Sequence, residues 1–211
     1  MTKMNKIIII IFLALALFGR EAVAGETIVL VGGWSRTGTP QEIAAQLDPM
    51  ESALREAGHR VVVVRPTIFL PLPAAAEELY VELEKEGVLK EEIALVGWCW
   101  GGLIARRFAE QYHGEARVRA IVEIASPNGG YRFAPRFLFD PGIERSVEVP
   151  LFVIAGNKSA EKWYLRPEND GTVDIQSVLS VSARGTAVFP LRHLELIASG
   201  EVARQVAAWL K

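Results

Sequence analysis

The sequence has little cysteine and little histidine, which excludes an internal disulfide and argues against a zinc site. Its 211 residues include one cysteine, Cys99, and three histidines. One cysteine cannot form an internal disulfide, and the histidines lack the spacing of zinc ligands. The glycines at 32–38 fit neither Gly-x-Gly-x-x-Gly nor the lysine-containing phosphate-binding loop. We therefore expect no metal and no other cofactor.

The chain also lacks a strong excess of charge. Its net charge is -2 and it contains no basic stripe, so we expect no nucleic-acid partner. Half of its residues are hydrophobic, which excludes a disordered or fibrous chain. The length suits a single domain with a full-sized core, and the oligomeric state stays open.

No apolar run is long enough for a membrane-spanning helix, which needs about 20 residues. The longest is 7–18, which follows Lys3 and Lys6 and precedes the small residues 22–24. This layout predicts a secretory signal peptide over 1–24, a mature domain over 25–211, and a periplasmic or secreted protein without a membrane span after cleavage. The alternative is a short N-terminal membrane anchor.

Apolar runs alternate with helical patterns along the rest of the chain. The predicted strands are 26–33, 59–66, 92–98, 117–126, 149–157 and 186–191, and the predicted helices are 39–58, 74–86, 101–113, 172–182 and 193–211. Pro49 is expected to break or kink the first helix. Near-continuous apolar strands separated by helices predict an α/β fold with a parallel sheet covered on both faces.

Cys99 lies where a predicted strand turns directly into a helix. Gly97, Gly101 and Gly102 surround it, as in the strand–turn–helix motif Gly-x-Ser-x-Gly, with cysteine in place of serine. Such a sharp turn needs neighbours without side chains, and helix N-termini favour thiolates. We interpret Cys99 as a nucleophile; the alternative is a small buried apolar residue.

The candidate general base is His193. Reactive groups of an open parallel sheet lie beyond the carboxyl ends of its strands. His59 begins a strand and His113 ends a helix, so both lie at the opposite edge, whereas His193 follows a strand end. The acid is expected between nucleophile and histidine in chain order, which favours Asp170 in a predicted loop, with Asp174 as the rival.

Aromatic residues are the candidates for the rest of the site. The backbone amides of Trp34 and Trp100 are predicted to form an oxyanion hole, since they follow the first strand and the nucleophile. An aromatic-rich segment follows the fourth strand. The predicted substrate-binding residues are Trp98, Tyr131, Phe133 and Phe137. The alternative is that these side chains only cover the sheet edge.

Together these motifs resemble the α/β-hydrolases, and among them the compact bacterial lipases and esterases. The resemblance lies in "VGGW", "GWCWGG", "NDGTV" and "RHLEL". The strand–turn–helix motif, here Gly-x-Cys-x-Gly-Gly, is similar to those of dienelactone hydrolases and polyhydroxyalkanoate synthases. The resemblance implies a six-stranded, mostly parallel sheet with helices on both faces and no large cap domain.

The resemblance also implies the function class. We expect an acyl hydrolase of the esterase, lipase or thioesterase class, acting on a small acyl substrate through a Cys99–His193–Asp170 triad and an acyl-enzyme. A sulfur nucleophile favours thioesters, activated esters and lactones as substrates. Two alternatives stay open: acyl transfer by the same triad, and a non-catalytic protein that only binds a ligand.

Overall fold

A computed structural model describes residues 25–33, 40–67, 70–130, 148–160 and 165–211. The strands are β1 (Gly25–Val31), β2 (His59–Val64), β3 (Glu92–Trp98), β4 (Arg117–Ile124), β5 (Leu151–Gly156) and β6 (Gly185–Phe189). The helices are α1 (Pro40–Glu56), α2 (Leu72–Lys85), α3 (Trp100–Gln111), α4 (Ile175–Val178), α5 (His193–Ala198) and α6 (Gly200–Trp209). Within the described ranges, none of the helices is both long and apolar enough to cross a membrane.

The strands form one parallel sheet in the order β2-β1-β3-β4-β5-β6. From β1 the chain moves first to one edge, at β2, and then crosses to β3 and the other edge. Strand order therefore reverses between β1 and β3, and a ligand crevice is expected outside their carboxyl ends. Cys99 follows β3 directly, so it lies at this point.

Helices cover both faces of the sheet, as the alternation of strands and helices predicts. Val29 and Val31 face the layer that contains α2, α3 and α4. Ile28 and Leu30, which alternate with them, face the layer that contains α1, α5 and α6. Because β1 is buried on both sides from residue 28 to residue 31, these four positions are all apolar rather than alternating.

Two of the predicted helices differ from the structure, and Pro49 does not break a third. The helix expected over 172–182 is the single turn α4, because Asp174 before it is extended, with a ψ of 138°, and forms an isolated antiparallel bridge with Asn169. The helix expected over 193–211 is interrupted at Ser199, whose hydroxyl caps α6. Pro49 lies inside α1 and does not end it.

Candidate active site

Cys99 occupies a strained backbone turn between β3 and α3. Its φ is 55° and its ψ is -120°, a conformation that a residue with a side chain rarely adopts. The amide of Cys99 donates to the carbonyl of Ile124 at 2.8 Å, which ties the turn to β4. Strained residues that the surrounding structure enforces are concentrated at functional sites.

Glycines make this turn possible because three chain segments meet there. A Cβ on Gly97 would lie 2.4 Å from the backbone of Gly102, and a Cβ on Gly101 would lie 2.2 Å from the carbonyl oxygen of Val31. A Cβ on Gly33 would lie 2.8 Å from Cβ of Cys99. The loop that leaves β1 therefore lies directly against the cysteine.

Gly101→Ala is expected to lower the free energy of unfolding by about 3 kcal/mol, because the new methyl group meets a backbone carbonyl that cannot rotate away. Gly114→Ala is the control, since nothing lies within 4 Å of its Cβ position, and it should change stability by less than about 0.5 kcal/mol. Urea denaturation measures both. Equal stabilities would contradict the close packing of the turn.

His193 and Asp170 form a buried hydrogen-bonded pair. His193 Nδ1 lies 2.6 Å from Oδ2 of Asp170, and the amide of His193 donates to the Asp170 carbonyl at 2.9 Å. The exposed fractions of the two residues are 6% and 1%. The other carboxylate oxygen accepts from the amides of Thr172 and Val173 at 2.8 and 2.7 Å. The carboxylate is therefore fixed from both sides and orients the imidazole.

Cys99 lies close enough to His193 to change its charge state. Burial is the largest influence on the pKa of His193 and lowers it, but Cys99 and Asp170 together outweigh burial and raise that pKa to about 10. The Nε2 atom makes no hydrogen bond of ordinary geometry to any residue in the described ranges. Because Nδ1 is held by Asp170 and the thiol of Cys99 is nearby, Nε2 of the ring can accept the thiol proton and return it.

Comparison with known proteins identifies the architecture. Residues 71–141 match the family model described as alpha/beta hydrolase fold. The mature lipase BlEst2 of Bacillus licheniformis has a similar structure, with a TM-score of 0.68 over 90% of this chain and 94% of that one, at 16% identity. The chain has the α/β-hydrolase fold. The prediction from sequence is confirmed in its parallel sheet with helices on both faces.

Further solved structures share this hydrolase fold. The RedJ thioesterase of Streptomyces coelicolor gives a TM-score of 0.58 over 93% of this chain and 92% of that one, at 15% identity. The metagenomic carboxyl esterase MGS0156 gives 0.62 over 90% and 76%, at 16% identity. No curated protein is significantly similar in sequence.

Trp98 supports the histidine of this hydrolase fold. Its indole N–H donates to the carbonyl of His193 at 3.3 Å, and the two rings are 5.2 Å apart between centroids. The side chain is only 2% exposed and packs within the core. Burial of this kind favours a packing role, so the predicted contact of Trp98 with substrate gains no support from its position.

The structure separates the two candidate acids. Asp174 precedes α4, and its Oδ1 accepts from the amide of Arg166 at 2.6 Å, whereas Asp170 contacts His193. Trp100 is the first residue of α3, so its amide lies in the first turn beside Cys99. The other predicted residues lie outside the described ranges: Trp34, Tyr131, Phe133 and Phe137.

Asn169 belongs to the site but was not predicted. Its side chain accepts from the amides of Ala160 and Gly171 and donates to the carbonyl of Arg166, so it fixes the loop that carries Asp170. The sequence Asn-Asp-Gly was an available signal, because Asn and Asp side chains bond nearby amides in such turns. No group of three potential metal ligands occurs among the described residues.

Proposed function

We propose that this protein is an acyl hydrolase of the esterase or thioesterase class with Cys99 as its nucleophile. One observation carries the proposal: a cysteine on a strained strand-to-helix turn lies beside a buried, hydrogen-bonded His193–Asp170 pair. The structural neighbours, which are named as a lipase, a thioesterase and an esterase, support the same reaction class.

The reaction begins with removal of the thiol proton. Asp170 holds Nδ1 of His193, so Nε2 accepts the proton from Sγ of Cys99. The sulfur attacks the acyl carbonyl carbon, and the amides of Trp100 and Trp34 stabilise the resulting oxyanion. The protonated His193 gives its proton to the leaving group, and an acyl-enzyme forms. Nε2 then accepts a proton from water, and the resulting hydroxide attacks the acyl carbon. The C–S bond breaks, the acid is released, and the sulfur takes the proton back from Nε2.

The sulfur nucleophile sets the substrate preference. Thiols titrate several units below alcohols, so a thiolate leaves a tetrahedral intermediate more easily than an alkoxide. With a plain alkyl ester the intermediate therefore returns to the free enzyme unless His193 protonates the alkoxide. Thioesters, activated esters and lactones need less of this help, and we propose them as the preferred substrates.

A matched pair of substrates tests this preference. The wild type, given one acyl group as its thioester and as its oxyester, is expected to favour the thioester in kcat/KM by about 100-fold, the lower end of what general-acid help supplies. Cys99→Ser is expected to reduce that ratio, because an alkoxide nucleophile no longer leaves more easily than the alcohol. Product analysis distinguishes free acid from transferred acyl groups.

Either of two results would contradict the proposal. Equal ratios in wild type and Cys99→Ser would show that the nucleophile does not set the preference. Absence of turnover on both substrates, together with no acyl adduct on Cys99, would favour a ligand-binding protein with this fold.

We also propose that the chain is exported and cleaved after Ala24. Strand β1 begins at Gly25, so cleavage there would remove no residue of the sheet. Mass spectrometry of the protein from a periplasmic or culture fraction should find an N-terminus at or near Gly25. An intact N-terminus in the membrane fraction would instead support the short anchor.

A further inference from the structure

A buried charged cluster lies behind the candidate active site. Glu123 of β4 is 0% exposed, and its Oε1 lies 3.2 Å from Nε of Arg106 on α3, which is 1% exposed. Asn128 joins them: its Oδ1 accepts from Nη2 of Arg106 at 2.7 Å, and its Nδ2 donates to Oε2 of Glu123 at 2.7 Å. We call Arg106, Glu123 and Asn128 the buried cluster.

Stability alone does not account for the buried cluster. Burial is the main influence on the pKa of Glu123 and raises it, although Arg106 and Asn128 act in the opposite direction. Removing two charges from water costs several kcal/mol per ion, and apolar residues of similar size are often as stable or more so. The cluster therefore suggests a task that apolar packing would not perform, namely fixing one arrangement of the elements that meet there.

The buried cluster contacts the turn 97–102, which carries Cys99 and is called the nucleophile turn below. Glu123 pairs with Gly97 in the sheet, two residues before the nucleophile. A Cβ on Gly102, in the first turn of α3, would lie 3.1 Å from Cγ of Glu123. The next residue of β4, Ile124, accepts the amide of Cys99. The strand that carries Glu123 thus also fixes the backbone of Cys99.

The buried cluster also contacts α4, the helix that follows the loop carrying Asp170, which is called the acid loop below. Nδ2 of Asn128 donates to the carbonyl of Val178 at 2.9 Å. The next amide, of Gly129, donates to the carbonyl of Ser177 at 2.9 Å, and Oγ of Ser177 donates to the carbonyl of Gly130 at 2.9 Å. These bonds attach α4 to the segment after β4.

Helix α4 is in turn continuous with the loop that carries Asp170. The amide of Ile175, the first residue of α4, donates to the carbonyl of Glu168 at 3.1 Å. The amide of Asp170 donates to the carbonyl of Val173 at 3.2 Å. A shift of α4 would therefore shift Asp170, and with it His193.

We propose that Arg106, Glu123 and Asn128 are positioning residues that fix the acid loop relative to the nucleophile turn, with Asn128 as the link between them. The proposal rests on the function proposed above. None of the three is placed at the reacting atoms. They act through the spacing between Cys99 and His193, for which an error of about 1 Å can cost about 100-fold in rate.

Asn128→Ala tests the link, because it removes the bonds to Arg106, Glu123 and Val178 while the fold's two apolar layers stay intact. We expect kcat on a thioester to fall about 10- to 100-fold with KM within about twofold. Asn128→Asp, which has the same shape and can still accept from Arg106 but cannot donate to Glu123 or to Val178, should fall in the same direction. Thermal unfolding establishes that each variant is folded.

Arg119→Met is the matched control. Arg119 lies on the same strand as Glu123 and is ion-paired to Glu26 and bonded to the carbonyl of Leu210, away from the active-site end of the sheet. We expect this variant to lower the melting temperature and to leave kcat unchanged. A loss of kcat in Arg119→Met equal to that in Asn128→Ala would overturn the proposal, since general destabilisation would then explain both.

A second readout does not depend on turnover. The chain has three histidines, so an NMR titration can follow the ring of His193. Cys99 and Asp170 raise its pKa, so the midpoint should fall in Asn128→Ala as these groups move away. An unchanged midpoint together with unchanged kcat overturns the positioning role. A wild type without acyl turnover, but with a high midpoint that falls in Asn128→Ala, would refute the proposed function and support the positioning role.

Discussion

Cys99→Ala is expected to reduce thioester turnover by about 10⁴-fold or more, which is typical when a covalent nucleophile is removed. The residue is 9% exposed at a turn fixed by surrounding backbone, so a methyl group fits in place of the thiol. The folded structure should persist, and thermal unfolding checks that it does. Steady-state kinetics on a thioester, with the uncatalysed rate subtracted, measures the loss.

The same variant has a second expected effect. Among the influences that raise the pKa of His193, Cys99 comes first, while burial lowers it. Without the sulfur, burial continues to act against only Asp170, so the pKa of His193 should fall and the ring should lose its proton at lower pH. An NMR titration of wild type and Cys99→Ala measures the two midpoints.

Turnover tests whether Cys99 is the nucleophile, and the titration midpoint of His193 tests whether the thiol lies close to the imidazole. Turnover that persists in Cys99→Ala would refute the cysteine nucleophile, whatever the titration shows. A His193 midpoint that does not move would mean that the thiol and the imidazole do not interact in solution. Loss of turnover together with a lower midpoint is the result that the geometry predicts.

Local patterns in the sequence were sufficient to predict the sheet and the sharp turn at Cys99. Buried strands such as β1 are short, β-branched and bounded by glycine, so periodicity identifies them. The glycines around Cys99 follow from the close approach of three segments, which any sequence with that turn must accommodate. The hydrolase fold was predictable for these reasons.

Contacts between distant residues were not predictable in the same way. Arg106 stands next to Arg107 on α3, and nothing local distinguishes it from a solvent-exposed arginine. Its partners are 17 and 22 positions away, at Glu123 and Asn128. Trp98 likewise bonds a residue 95 positions away, so only the folded chain shows that it supports His193.

The loop that carries Asp170 was predictable only in part. Its place in a loop after β5 favoured Asp170 as the partner of His193. The helical pattern over 172–182 placed the rival, Asp174, inside a helix. In the structure, Asp174 is extended and forms an isolated antiparallel bridge with Asn169, so the helix begins only at Ile175. This bridge joins the residues on either side of Asp170 and its turn, and helix propensity does not register it.

Asp170→Asn is expected to reduce kcat by about 10³- to 10⁴-fold, the loss seen when the carboxylate of such a triad becomes an amide. Asparagine keeps the shape and can still accept from Thr172 and Val173. It cannot offer His193 a negative charge, so the protonated ring loses its stabilisation and the preference for a proton on Nδ1 weakens. The pKa of His193 should fall as well, since Asp170 raises it.

Asp174→Asn is the matched control for this substitution. Its carboxylate oxygen accepts only from the amide of Arg166 among the described residues, and an asparagine oxygen can do the same. Because its effect should stay within that of an ordinary loop substitution, kcat is expected to change by no more than about twofold. Steady-state kinetics on both variants, at one pH below the midpoint of His193 and one above it, compares the two acids directly. A larger loss in Asp174→Asn than in Asp170→Asn would move the acid of the triad to Asp174, and would mean that the buried 2.6 Å contact between His193 and Asp170 holds the loop in place without serving catalysis.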